Sequence, residues 1–161
     1  MTLPTPPDLA TVIDTFRRIP QCQMLDMRIV ALAAGTCEAL IPFRPALVGN
    51  LYTGVVHGGV ITTLLDTLSG IVVMTSVPAG TPIATLDLRI DYLHPATPGA
   101  DIRGRMECYK TTPNIAFVRG TAFHLDDKGP IAHCAGTFML GAMGFRPAKG
   151  EEVPPLGNQP C

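Results

Sequence analysis

A single long helical pattern sits in the middle of this chain, and it constrains the fold more than any other feature. Its apolar residues are Val60, Ile61, Leu64, Leu65, Leu68, Ile71 and Val72, in steps of three and four that fit a 3.6-residue period. Apart from Thr67, the polar residues that interrupt it fall on a narrow stripe made of Thr62, Thr63, Asp66, Ser69 and Gly70. A helix that is apolar around most of its circumference has to be buried on most of it. Pro78 and Gly80 are expected to stop it.

The rest of the chain supplies the cover. Asp8 reads as the cap of a helix over LATVIDTFRRI, which Pro20 is expected to end. Met24–Leu32 and Thr36–Phe43 read as two strands of a hairpin, parted by Ala33-Ala34-Gly35. Residues 44–56, with Pro45, Gly49, Asn50 and Gly54, are loop-like. After the long helix comes Ala84–Leu93, whose alternation puts Leu86, Leu88, Ile90 and Tyr92 on one face. Asp101–Lys110, Ile115–Leu125 and Ile131–Leu140 follow as strands separated by TTPN and DDKGP turns. Strands in succession without βαβ alternation predict an α+β fold, an antiparallel sheet wrapped around the one long helix. Residues 8–144 read as one domain, between a flexible N-terminus at 1–7 and a Pro- and Gly-rich tail at 145–161.

Composition narrows the function classes. The chain has 161 residues, enough for one domain with a sizeable core, and only 16% of them are charged, so it reads as compact. A net charge of −1 and the lack of any Lys/Arg-rich run argue against nucleic acid or an anionic membrane as partner. The sequence shows neither a secretory signal pattern nor a run of roughly 18 apolar residues, so the expected location is the cytoplasm. The five widely spaced cysteines (Cys22, Cys37, Cys108, Cys134, Cys161) read as reduced thiols. The four histidines form no HxxxH or HExxH pair, and neither a metal nor any other cofactor is implied.

The chemistry, if any, concentrates between Asn50 and Asp66. His57-Gly58-Gly59 stands where a loop becomes the long helix, and glycine lets backbone approach a ligand closely. The first amides of a helix have no intrahelical acceptor and lie at the positive end of its dipole, so they can hold a developing oxyanion. Asp66, two turns along on the polar stripe, can serve as a general base for water or as a nucleophile. Taken alone, each signal has a plain structural reading. A His-Gly-Gly before a helix is ordinarily a capped turn, a lone helical Asp is ordinarily solvated, and Asn50 can be only a turn former.

HGGVITTLLD followed by ATLDLRIDYLHPA resembles the PaaI-type hotdog-fold acyl-CoA thioesterases, over roughly Met24 to Gly141. The family pattern is an Asn, a short gap, HGG, and an Asp or Glu eight residues after the first Gly; Gly58 and Asp66 keep that spacing, and the later Tyr-x-x-Pro (Tyr92 to Pro95) is also typical. The resemblance implies hydrolysis of acyl-CoA, with Asp66 attacking the thioester or activating water and the Gly58 N–H polarising the carbonyl. It implies that His57 and Asn50 orient the loop, the water or the leaving thiolate. It assigns Gly59, Thr85, Asp87 and the turn Lys110, Thr111, Thr112, Pro113 and Asn114 to substrate binding, Thr85 beside the carboxylate and Asp87 and the turn against coenzyme A. Two departures stand out: the Asn50–His57 gap is one residue longer than in the pattern, and the 111–114 turn lacks the usual glycine with a basic neighbour, leaving Lys110 as its cation. Leu51, Tyr52, Val56 and Ile61, with Leu64 and Leu65 as further candidates, are expected to wall the acyl pocket.

Geometry adds an expectation about assembly. Eight helical residues span about 12 Å at 1.5 Å per residue, whereas both groups must lie within roughly 3 to 3.5 Å of the reacting atoms. One helix cannot easily bring both to one carbonyl. Two antiparallel copies can, and hotdog relatives share sites across such an interface, so a homodimer, or a dimer of dimers, is expected. The competing reading is a non-catalytic acyl-CoA-binding protein on the same fold, which would bind without turnover; a hydratase reading requires a different Asp–His arrangement.

Overall fold

The computed structural model describes residues 7–125 and 129–141; the expected N-terminal segment at 1–7, apart from Pro7, and the tail at 145–161 lie outside the described residues. The elements run α1 (Leu9–Arg18), α2 (Pro20–Met24), β1 (Arg28–Ala33), β2 (Thr36–Ile41), α3 (Gly58–Met74), β3 (Ile83–Tyr92), β4 (Ile102–Thr111), β5 (Ile115–Phe123) and β6 (Pro130–Leu140). The six strands form one antiparallel sheet in the order β1-β2-β4-β5-β6-β3. This is the hotdog fold: a sheet curled around one long helix, with a short helix at the N-terminal side.

The helix packs chiefly on β4 and β5, with β2, β3 and β6 closing around it. Leu64, Leu65, Leu68, Val72 and Val73 are completely buried. Burial of each such side chain is worth about 1.5–3 kcal/mol, which makes α3 the centre of the core. Gly104 on β4 permits the close approach, since a Cβ there would sit 2.9 Å from Leu64 Cγ and Leu68 Cδ1.

The structure corrects four details of the sequence reading. Pro20 does not simply end the first helix; it opens a second one, α2, because the first turn of a helix needs no N–H from its residues. The strand expected from Met24 therefore begins only at Arg28, after Asp26 turns the chain with φ +50°. Asp8 occupies the cap position of α1, but its side chain makes no capping hydrogen bond. The long helix stops at Met74, ahead of Pro78. There the Thr75 and Ser76 hydroxyls donate to the Val72 carbonyl, and Thr75 Oγ1 accepts from the Gly35 N–H of the β1–β2 turn.

Two edges of the sheet are left open, at β1 and at β3. Each carries a bulge, between Ile29 and Ala31 in β1 and between Thr85 and Asp87 in β3. The β3 bulge matters for the site. Without it, Thr85 and Leu88 would point to opposite faces of the sheet. With Leu86 unpaired, Thr85 pairs with buried Phe138 and Leu88 pairs with Gly136, so both fall on the α3 side of the strand. Leu86 itself is about half exposed, at 51%, and does not share the half-buried environment of Leu88 and Ile90.

Candidate active site

The site is built from the first three turns of α3 and the inner face of β3. The loop before α3 is closed by a bridge between Val48 and Val56 and by the His57 N–H donating to the Leu47 carbonyl at 2.8 Å. His57 then caps the helix, its Nδ1 accepting from the Gly59 N–H at 2.9 Å. With Nδ1 as acceptor, the ring proton of the neutral imidazole lies on Nε2. The Val60 N–H donates to the His57 carbonyl at 2.9 Å. That leaves the Gly58 N–H as the first-turn amide with no acceptor among the described residues. Its position at the helix start gives it the partial positive charge of the dipole end.

The Gly58 carbonyl, by contrast, is heavily engaged. It accepts from Tyr92 Oη at 2.8 Å and from Thr62 Oγ1 at 3.2 Å, and those two hydroxyls lie 3.0 Å apart. A methyl at Gly58 would stand 3.1 Å from Tyr92 Oη, tighter than ordinary packing.

Two turns further along, Asp66 is half-buried. Thr85 Oγ1 donates to Asp66 Oδ1 at 3.3 Å, a contact made possible by the Leu86 bulge. Cys134 and Ser69 lie close by. Burial pushes the Cys134 thiol up to about 11, and the negative charge of Asp66 adds to the rise, while a hydrogen bond with Ser69 works against it. Asp66 thus faces a polar lining of hydroxyl and neutral thiol, with no cation from its own chain in hydrogen-bonding contact with it among the described residues. Such an arrangement can accept a proton from water or attack a carbonyl carbon.

A groove of about 490 Å³ runs beside the helix start, between α2 and the 44–48 loop. Met24, Leu25, Leu47 and Val60 supply apolar wall, and His57 and Gly59 also line it; Asp66 does not border it.

Comparison with known proteins agrees with this architecture. Residues 53–131, which include the whole of α3 and β3, match the family model described as the thioesterase superfamily. A crystal structure of a Pseudomonas aeruginosa protein is 43% identical, covering 83% of this chain and 98% of that one with a TM-score of 0.72. The chain belongs to the thioesterase superfamily. As a member of it, the protein is a thioester hydrolase. The medium/long-chain acyl-CoA thioesterase YigI of Salmonella typhimurium is 29% identical over 111 residues, 61% of this chain and 70% of the relative. The phenylacetic acid degradation protein PaaI of Thermus thermophilus, at 24% identity, shares the fold, with a TM-score of 0.66 over 75% of this chain and 98% of that one.

Within one subunit of this thioesterase, the residues singled out from sequence do not all converge. Gly58, Gly59 and His57 sit together, and Thr85 meets Asp66, but the Gly59 N–H is committed to His57. Asn50 is a turn former here: its side-chain oxygen accepts from the Tyr52 and Thr53 amides at 2.9 and 3.3 Å. Asp87 pairs with Thr137, next to the Phe138 that pairs with Thr85, and so points to the opposite face of the sheet. Lys110, Thr111, Thr112, Pro113 and Asn114 are exposed. Their turn is closed by Thr112–Ile115 hydrogen bonds, and Asn114 accepts from the Leu140 N–H, where β6 meets Ile83 at the end of the sheet away from Tyr92 and Gly58. Leu51 and Tyr52, expected in the acyl pocket, are 90% and 100% exposed on the loop, whereas Val56, Ile61, Leu64 and Leu65 are buried in the core.

Sequence reasoning missed the hydroxyl side of the site. Thr62 was only part of a polar stripe, and Tyr92 only an alternating strand residue in a family motif. Their junction at the Gly58 carbonyl depends on how β3 lies across α3, which no local pattern encodes. The inward parity that Tyr92 shares with Leu88 and Ile90 was the available signal.

Proposed function

We propose that this thioesterase hydrolyses acyl-CoA, with Asp66 as the carboxylate and the Gly58 N–H as the oxyanion donor, in a site completed between two subunits. The observation that carries the reading is the unengaged Gly58 amide at the start of a helix that bears a half-buried carboxylate two turns along. In one form of the reaction, Asp66 takes a proton from water while the water oxygen attacks the thioester carbon. In the other, the carboxylate attacks first and water then hydrolyses the mixed anhydride. In both, the carbonyl electron pair moves onto oxygen, where the Gly58 N–H stabilises it. Collapse breaks the C–S bond, and the thiolate leaves with the electron pair and takes up a proton.

Two features favour a shared site. The amide and the carboxylate are about 12 Å apart along the helix axis, and the groove at the helix start does not reach Asp66. Strand β3, which covers both groups, is an open edge ten residues long, flanked by exposed Leu86, Tyr92 and Leu93. A long open edge with apolar side chains is a ready surface for pairing with a second copy.

Free-thiol release from a panel of aliphatic and aryl acyl-CoAs tests the activity. Turnover with at least one class, abolished in Asp66→Asn while acyl-CoA still binds, is the expected result. Binding without turnover by the unaltered protein would reject hydrolysis.

A further inference from the structure

We infer that Tyr92 is a positioning residue for the oxyanion donor, holding the first turn of α3 through the Gly58 carbonyl so that the Gly58 N–H stays fixed and unengaged. This rests on the reading of Gly58 given above. The geometry is specific. Tyr92 is the last residue of β3, and its hydroxyl reaches across to the first residue of α3, donating to the Gly58 carbonyl at 2.8 Å. Thr62 Oγ1 completes a triangle, 3.2 Å from the same carbonyl and 3.0 Å from Tyr92 Oη.

The physical need is clear. A first-turn glycine is the least restrained residue of a helix, because it lacks a Cβ and its N–H has no helical acceptor. Stabilisation of an oxyanion depends on donors that are already in place when charge develops. The Gly58 N–H shares its peptide plane with the His57 carbonyl, which accepts from the Val60 N–H, and the next peptide plane is held by Tyr92 and Thr62 on the Gly58 carbonyl. The Gly58 amide therefore sits between two pinned carbonyls. The two pins differ in kind: the first is local helix geometry, whereas Tyr92 ties the donor to the strand that also orients Asp66 through Thr85. One strand thereby sets the relation between the amide and the carboxylate of each subunit.

A double-mutant cycle tests this. Tyr92→Phe removes only the hydroxyl. Gly58→Pro removes the N–H at a position where proline suits a helix start, after a His57 whose ψ of 132° is already compatible with a following proline, and Gly58→Ala, which brings the same Cβ 3.1 Å from Tyr92 Oη but keeps the N–H, is the background against which both Gly58→Pro and the double variant are compared. The expected result is a roughly tenfold fall in kcat for Tyr92→Phe with KM within about twofold, and no further fall when Tyr92→Phe is added to Gly58→Pro, because the hydroxyl acts through the missing amide. Thr62→Ser, which keeps the second hydroxyl, should retain most of the rate. If Gly58→Pro loses activity but Tyr92→Phe keeps wild-type kcat, or costs the same factor in both backgrounds, the positioning role is wrong and the oxyanion reading stands. If Gly58→Pro keeps full activity, both fall.

Discussion

The two polar stations on α3 are held very differently. At the helix start, Val60 pins the peptide plane that carries the Gly58 N–H, Thr62 and Tyr92 pin the next one, and His57 caps the neighbouring amide. Two turns along, Asp66 has a single hydrogen bond among the described residues, from Thr85 at 3.3 Å. On the proposed reading, the donor that must wait for charge is built into the backbone, whereas the carboxylate retains the freedom to meet water or carbonyl carbon. That reading implies a division of labour: preorganisation at the amide, with the final aim of the carboxylate left to substrate and the proposed second subunit.

Substitutions can break that contrast in a defined order. Asp66→Asn should have the largest effect, a loss of about 10³-fold or more in kcat without loss of fold, since it removes the proton acceptor outright; steady-state kinetics with circular dichroism checks both halves. Gly58→Pro should follow, with about a 10²- to 10³-fold loss, the range for one oxyanion donor. Thr85→Val should cost less than about tenfold, because the carboxylate station is loosely held to begin with; a loss as large as that of Asp66→Asn would erase the proposed difference between the stations.

Two smaller effects sharpen the comparison from the outside. Gly70 lies one turn beyond Asp66, and a Cβ there would meet nothing within 4 Å in the chain. Gly70→Ala should therefore raise the stability of an isolated subunit by about 0.5–1 kcal/mol, measured by urea unfolding. Glu38, on the far side of the sheet from α3, serves as a control. Burial alone would raise its pKa, but hydrogen bonds from Arg105 and Arg103 outweigh that and hold it below the ordinary 4.5. A lowered folded-state pKa gives stability that is present above the ordinary value and lost as pH falls through the lowered one. Wild type should thus melt above Glu38→Gln near neutral pH and converge with it in acid, with kcat unchanged.

Much of this was legible in the sequence for physical reasons that can be named. The 3.6-residue period of Val60 to Val72 identified the core helix, and the alternation and turn residues after it identified the strands. HGG and Asp66 marked the two stations because backbone freedom and a carboxylate on an apolar helix are local facts. What stayed hidden was tertiary. Pro20 reads equally as a stop or as the first residue of a new helix. The bulge at Leu86, which turns Thr85 toward Asp66, follows from the pairing of β3 with β6. The Tyr92 bond to Gly58 joins residues 34 apart in sequence.

The sharing of one site between subunits is tested most directly by mixing subunits. Co-expressed Asp66→Asn and Gly58→Pro chains, carrying different tags so that only heterodimers are purified, retain one wild-type Gly58 and one wild-type Asp66 on opposite subunits. A shared site predicts that these heterodimers recover about half of wild-type activity while each parent homodimer stays near zero. Heterodimers no more active than either parent would place the amide and the carboxylate of each working site on the same chain and contradict the account.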